Sequence, residues 1–587
     1  MLNSRFSLSG ERRFVLVLKS FSYGQKKVFF TAVAVLTITT IIMLVAVSQF
    51  FMVKVPAHGG MLIEGTLNTP AHINPLLAMG DVGSEADRDL SVLIYSGLLR
   101  SDGRNGFIND LAHAYEISPD GLIYTFTLKP ELVWHDGKKL TARDIVFTIK
   151  TIQDSRIKSP KRVNWDGVSV EQIDDRTVRF ILKKPYAPFL ENVTIGILPE
   201  HIWKTIDYNR FATNAYNREP IGSGPYKFYK KETITKDGDE IPVSYTVKAF
   251  DSFALGKPYI DKIKFLFYPN NTELITAFRM GTIDAINSIA PESAKKLEKE
   301  GYRVLHVPLP RVLAVFFNQN QAPIFADISV RKALTLVVDR ESVIDRVLYG
   351  YGIALDSAIP SSGLGFIKGP KREPEAVRFL MAQNILKKGG WVFGEKDKMW
   401  TKTTKKEVQI LRFDLTTAEV PELKSVAEAL KVSWDKLGVP VTIQVFSIGD
   451  LKETIVRPRK FSALFFGQVI GQGSDVYPFW HSSQRLDPML NISSYINLTI
   501  DKILEKARIE IDSKKRALIY EEFQNEISKD TPALFMYAPE FLYVVPKKVK
   551  GISLESVSVS PDRFLRSYQW YIETDNVWRI FNKIIKQ

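Results

Sequence analysis

From Val28 to Val53 the chain reads VFFTAVAVLTITTIIMLVAVSQFFMV, without a charged residue. No other feature restricts the fold so strongly. A run of this length crosses a bilayer as one helix, since a helix satisfies its own backbone polar groups in hydrocarbon. The 27 residues before it carry Arg5, Arg12, Arg13, Lys19, Lys26 and Lys27 against Glu11 alone. Basic flanks stay cytoplasmic. The expectation is a basic cytoplasmic tail over 1–27, a transmembrane helix over 28–53, and everything beyond Lys54 outside the cytoplasm. The alternative is a cleaved secretory signal, with Ala46-Val47-Ser48 as a small-x-small site. The run is longer than a usual signal core and begins far into the chain, which favours an uncleaved anchor.

The 587 residues are too many for one core, so two to four domains are expected. There is no cysteine, which excludes disulfides, thiolate metal sites, a cysteine nucleophile and a lipid-modified N-terminal cysteine. The histidines His58, His72, His113, His135, His201, His306 and His481 are scattered, and none has a partner at metal-ligand spacing. HExxH, GxSxG, a Walker loop and GxGxxG after a strand are all missing. No cofactor is expected, and catalysis is disfavoured. Of the net charge of +14, five units sit in the N-terminal tail. The rest spreads over a long body with no basic stripe interleaved with aromatics, so a nucleic-acid partner is not expected. A cationic body facing anionic lipid or cell wall accounts for it.

Residues 54–60 read as a linker, with Pro56 and Gly59-Gly60, and Leu62–Leu67 as a first strand. Asp89–Leu99 reads as an apolar helix or strand end. Tyr124–Leu128 and Thr177–Leu182 alternate as half-buried strands. Between them, Thr141 and Asp144 form a capping-box-like start for a helix with Ile145, Ile149 and Ile152 on one face. His135-Asp136 precedes Gly137, and a tight turn explains it better than catalysis. Pro220–Phe228 (PIGSGPYKF) brackets a Gly-Ser-Gly core with prolines: a stiff entry, a permissive turn and a stiff exit. Further on, Asp327 or Ser329 and then Asp339 cap helices. Val408–Phe413, a helix from Leu423 to Leu437 and the strand Val441–Val445 read as a βαβ unit, hence a parallel or mixed sheet. Ala533–Val545 returns to strand-like aromatic alternation.

Six of these landmarks, in order, resemble the bacterial extracellular solute-binding proteins of family 5, the oligopeptide, dipeptide and nickel binders of ATP-driven importers. Leu132–Phe147 is similar to W-x-DG-x-x-LTA-x-D-V-x-F. Pro220–Phe228 is similar to PIGTGPYKF, with Ser223 for the usual Thr. Gly256–Ile263 and Gly281–Ala285 are similar to GKPYLDxI and GxxDA. Phe317–Arg340 resembles FN…PPFxDxxVRxAxxxAIDR, and Ser474–Ser482 resembles DPxxFWxS, with Val476 for Pro. The family's W-x-x-D has Gln472 or a neighbour in place of tryptophan.

The resemblance implies an α/β, periplasmic-binding-protein-like two-lobe fold with an extra inserted domain in lobe 1, preceded here by the N-terminal transmembrane helix. Lobe 1 would span 61–105, 218–312 and 536–587, the inserted domain 106–217, and lobe 2 313–535. The corner at Pro220 would return the chain to lobe 1, and the hinge would lie near Leu309–Asn320 and Thr531–Pro539. It further implies capture of (oligo)peptides between closing lobes, delivery to ABC permease subunits with their ATPase, attachment to the membrane by the N-terminal helix, and a monomer. The ligand candidates carried over are Asp475 for the ligand's α-amino group, with a turn role as the alternative, and Tyr477, Phe479 and Trp480 as cleft lining, with lobe-2 core as the alternative. Asn318 and Asn320 would serve the lobe crossing. The competing readings are the same fold holding a nickel chelate, sugar or cell-wall fragment, and a sensor ectodomain or enzyme.

Overall fold

The computed structural model describes residues 10–78, 83–103, 106–236, 239–405, 407–471 and 473–578. Arg5, Gln472 and residues 579–587 of the expected lobe 1 lie outside them. The chain divides into a unit of residues 1–58 with 573–587 and a unit of residues 59–572.

In the first unit a helix spans Tyr23–Phe51, five residues earlier than the apolar run begins. Ser22 sets that start. Its hydroxyl accepts from the Gln25 N–H, and its own N–H donates to Gln25 Oε1 at 2.9 Å, a capping box. The threonines inside the run are also accounted for. Thr31, Thr37, Thr39 and Thr40 each donate their hydroxyl to the carbonyl four residues earlier, at 2.7–2.8 Å. The helix stops at Phe51 because Met52–Pro56 pairs antiparallel with Thr574–Trp578. Part of the expected linker is therefore a strand, and Phe51 stacks on Trp578 at 6.5 Å.

The second unit is organised on one twelve-stranded sheet. Ala533–Val544 is the strand that joins its two halves. Its first half pairs with Arg311–Phe317 and Gly352–Ala354, and its second half pairs with Val304–Pro308 and Ala285–Asn287. The chain therefore passes between the halves twice, side by side, at Leu309-Pro310 and around Ala538-Pro539. The Leu309 N–H donates to the Pro539 carbonyl at 2.9 Å at that place. In the C-terminal half Phe413–Ala418, the helix Pro421–Leu437 and Val441–Phe446 form a parallel βαβ unit. Gly438, with φ 84°, ends the helix in a conformation that favours glycine. The strand expected over Val408–Phe413 is two elements. Val408–Ile410 belongs to a small three-stranded sheet and Phe413 opens the main-sheet strand.

The segment 112–181 forms a separate four-stranded sheet, Ala112–Ile117, Ile123–Leu128, Thr177–Ile181 and Ser169–Gln172 in the order in which they pair. Its apolar face does not form a core of its own. Phe126, Trp134, Ile145 and Phe180 share one continuous cluster with Leu62, Ile263 and Phe265 of the main sheet.

The Pro220 corner owes its glycines to close approach rather than to unusual dihedrals. A Cβ on Gly222 would lie 2.0 Å from the Ile94 carbonyl oxygen, and one on Gly224 would lie 2.6 Å from the Ile94 carbonyl carbon. The Gly224 N–H donates to that oxygen at 2.8 Å. The His135 turn docks on the same corner. Its N–H donates to the Gly222 carbonyl at 2.9 Å, and its Nδ1 accepts from the Gly222 N–H at 3.2 Å. That bond fixes the tautomer, so Nε2–H donates to the Gly224 carbonyl at 3.1 Å. The two landmarks read separately from sequence are one tertiary joint.

Candidate ligand-binding site

A cavity of about 410 Å³ lies where stretches remote in sequence converge. One wall is the helix Glu85–Ile94 with Tyr95, presenting Arg88, Ser91 and Val92. Others come from Lys161–Trp165, from Glu191–Gly196, from Val469 and Gly471, and from Ser558–Leu565. The helix is capped by Ser84 through a reciprocal bond with Asp87, and its back face is pinned from below. There Arg563 reaches Asp89 at 2.5 and 2.9 Å and Glu64 at 3.0 Å, and Tyr543 Oη donates to Glu64 at 2.9 Å. All four residues are fully buried. Burial pushes the Glu64 carboxyl up and Asp89 to about 7, while the Arg563 charge draws both back down.

The cavity wall is largely apolar but carries both signs of charge. Burial raises the Glu191 carboxyl. A hydrogen bond donated by the Gly473 N–H opposes this, and the neighbouring Asp475 charge adds to it. Burial lowers Lys161, which the Glu191 and Asp562 charges partly restore. Asp562 is raised by burial although it accepts the Ser558 and Val559 N–H groups at 2.8 and 3.1 Å. Arg100 and Asp110 pair at 2.6 Å in the wall. Three lining residues keep a buried polar atom without a partner among the described residues: Ser91 Oγ, Ser558 Oγ and Asp110 Oδ1. Such atoms are rare in folded proteins and mark groups that a ligand or water can satisfy.

The open backbone edge is as informative as the side chains. Ala463–Val469 pairs along its length with Arg311–Phe317. Its pairing with Phe413–Ala418 stops after Ala463 and Leu464. Towards Val469 and the cavity, strand pairing among the described residues runs on one side only.

The residues singled out from sequence lie beside this cavity rather than on its wall. Asp475 Oδ1 accepts the Tyr477 N–H at 3.1 Å, a turn that opens the short helix Tyr477–Trp480. Its Oδ2 accepts from Arg508 Nη2 at 2.8 Å and Nε at 3.1 Å. The Arg508 guanidinium lies 3.9 Å over the Tyr477 ring. Trp480 is wholly buried against Phe316, Tyr495 and Phe535, and Phe479 packs on the same cluster. The large apolar area of these rings is taken up by the core. Asn318 organises the turn after its strand, accepting from the Asn320 and Gln321 N–H groups and donating to the Arg459 carbonyl. Arg88, Lys161, Glu191, Asp110 and Asp562 had no signal in the sequence. Each is an ordinary surface-type residue until distant stretches bury it.

The comparisons with known proteins bear on this arrangement. A family model described as bacterial extracellular solute-binding proteins, family 5 Middle, matches residues 106–486. The chain belongs to this family. The oligopeptide-binding protein AppA of Bacillus subtilis is 30% identical over 509 residues, covering 84% of this chain and 89% of that protein. The solved structure of AppA in complex with a nonapeptide matches with a TM-score of 0.66 and 26% identity, covering 88% of this chain and all of that one. NikZ from Campylobacter jejuni in complex with Ni(L-His) matches with a TM-score of 0.67 and 26% identity, covering 87% and 99%. This family 5 protein thus has the mixed α/β periplasmic-binding-protein fold. It is the extracytoplasmic substrate-binding component of an ABC importer, and it binds solute rather than transforming it.

Proposed function

We propose that this chain captures peptides in the cavity beside Val469 and hands them to its permease while held at the membrane by its N-terminal helix. The open edge beyond Leu464 carries this reading. A peptide laid there adds as a strand, and its main chain then supplies affinity with little demand on side-chain identity. The twofold crossing at Leu309-Pro310 and Ala538-Pro539 supplies a hinge. Ligand touching both halves draws the open–closed equilibrium towards closed. The likeness to AppA with its nonapeptide supports the same reading.

The ligand's ammonium group is assigned to the acidic mouth formed by Asp475 and Glu191, with Tyr477 beside them. An incoming ammonium would displace Arg508 from Asp475 Oδ2 or share that oxygen with it. Asp475→Ala is expected to weaken binding of a peptide with a free N-terminus about 10-fold or more, and to leave its N-acetylated form unaffected. Equal affinities before and after the substitution, by calorimetric titration, would remove Asp475 from the site.

Several features support a retained anchor. The helix is capped and uninterrupted, its threonine hydroxyls are satisfied internally, and Phe50, Phe51 and Trp578 cluster at its exit as an aromatic belt does. Native mass spectrometry of the chain extracted from membranes tests both halves of the proposal. Co-purified peptides on the intact 587-residue chain are expected. A single non-peptide mass sinks the peptide reading, and a chain shortened to begin near Gln49 sinks the anchor.

A further inference from the structure

We infer that a row of lysines on the outer sheet face of the N-terminal half is a docking surface for anionic lipid headgroups, and that it lays the body against the membrane in which the chain is anchored. The inference rests on the retained anchor proposed above. The sheet ends in three antiparallel strands, Lys262–Tyr268, Asp239–Ala249 and Tyr226–Lys236. Lys248 lies directly opposite Lys227 on one side and Lys262 on the other. Directly opposed residues share a face. Here it is the face turned away from the core, since the alternate residues Val247 and Ile263 are the buried ones. The next row repeats the pattern, with Lys230 and Lys264 on either side of Thr246.

Like charges set opposite one another repel. In the second row Glu232 relieves this, accepting from Lys230 at 2.7 Å and from Lys264 at 2.8 Å. The first row has less relief. Among the described residues Lys227 and Lys248 form no ion pair, and Lys262 has Asp261 at 3.7 Å. Asp251, which follows Lys248 closely in sequence, is held by Lys257 at 2.6 Å. An anionic surface laid on the row removes the repulsion. The neighbours suit a headgroup layer. Tyr229 is 51% exposed with the Lys262 ammonium 5.3 Å over its ring, and the exposed Met61 is the register partner of Lys262. Amphipathic rings and lysine stems of this kind sit at membrane interfaces.

Position selects the anion. The chain enters this unit at Gly59 and leaves it at Ile572. These two places adjoin, since a Cβ on Gly60 would lie 3.3 Å from the Ile572 Cβ. The Lys262 N–H donates to the Gly60 carbonyl at 3.4 Å, so the row begins where the chain runs to the membrane helix. That connection, from Phe51 to Gly59, is eight residues of chain, at most about 28 Å. Docking would turn a loose tether into a fixed orientation and raise the effective concentration of the body at a membrane permease.

The test reconstitutes the full chain into phosphatidylcholine vesicles and into vesicles of one part phosphatidylglycerol to two parts phosphatidylcholine. A neutral amine-acylating reagent marks accessible lysines, and mass spectrometry reads the rates. Lys431 and Lys436, on the helix of the βαβ unit, serve as internal controls. Lys227, Lys248 and Lys262 are expected to react about 5-fold or more slowly on the anionic vesicles, with the control rates unchanged. Salt at about 0.5 M should remove the difference. With Lys227→Gln, Lys248→Gln and Lys262→Gln combined, Lys230 and Lys264 should lose their protection, and protection that persists overturns the inference. Equal rates on both vesicles also overturn it, and leave the anchor standing if the chain floats with the vesicles. A chain that floats with neither removes the anchor reading and this inference with it. Protection by soluble poly(glycerol phosphate) but not by phosphatidylglycerol overturns the lipid assignment in favour of a cell-wall polymer.

Discussion

Arg563→Ala is expected to lower the unfolding free energy by about 3–5 kcal/mol, because it strands two fully buried carboxylates. The wild-type network supplies hydrogen-bond donors to both carboxylates from within the core. Asp89 receives the two terminal guanidinium nitrogens, Nη1 and Nη2, while Glu64 receives Nη2 and Nε together with the Tyr543 hydroxyl and the Asn287 amide. Removing the cation takes the Arg563 donors from Asp89 and leaves Glu64 with Tyr543 and Asn287, while burial keeps water from replacing them. The damage should reach the binding site, since Asp89 pins the helix whose front face carries Arg88 and Ser91. Denaturant titration of the variant would show the loss. Adding Glu64→Gln and Asp89→Asn to it should restore much of the stability, since the stranded charges are then gone. A loss under about 1 kcal/mol for Arg563→Ala alone would mean that the helix is held by apolar packing instead.

The second large effect is a pH dependence at the joint between the His135 turn and the Pro220 corner. Burial pushes the imidazole down from 6.5 to about 4, with the Gly224 carbonyl working against that and the Lys227 charge adding to it. The unfolded chain therefore takes up a proton near pH 6.5 and the folded chain only near pH 4. Between those values the unfolded state holds more protons, so this contribution is complete above pH 6.5 and is lost as the pH falls to 4. Its size is about 3 kcal/mol. Buried carboxyls with raised values, Asp89 and Asp144 among them, act in the opposite direction over part of this range. The comparison must therefore be a difference. The stability gap between the wild type and His135→Gln is expected to shrink by about 3 kcal/mol between pH 7 and pH 4. A gap independent of pH would show that the joint does not depend on a neutral imidazole.

Sequence alone determined the parts whose physics is local. The charge-free run dictated a long helix, since its residues have nowhere to put backbone polar groups except into each other. Alternation placed Tyr124–Leu128 and Thr177–Leu182, and a 3.6-residue period with Gly438 placed the helix of the βαβ unit. Caps at Thr141, Asp327 and Asp339 lie where short polar side chains meet free N–H groups. Six ordered landmarks sufficed for the family. The strand at Val408–Phe413 was only half legible: the adjacent apolar pair Ile410-Leu411 interrupts the alternation, but nothing local says that the two parts join different sheets.

The site was decided by tertiary structure. Glu191 and Gly473 are 282 residues apart, and Glu64 and Arg563 are 499 apart. What makes these groups consequential is shared burial, which raises, lowers or strands a charge only once the fold has removed its water. The same reason separates Asp475, whose carboxylate already holds Arg508 and a turn, from Glu191, a residue of unremarkable sequence context that faces the cavity.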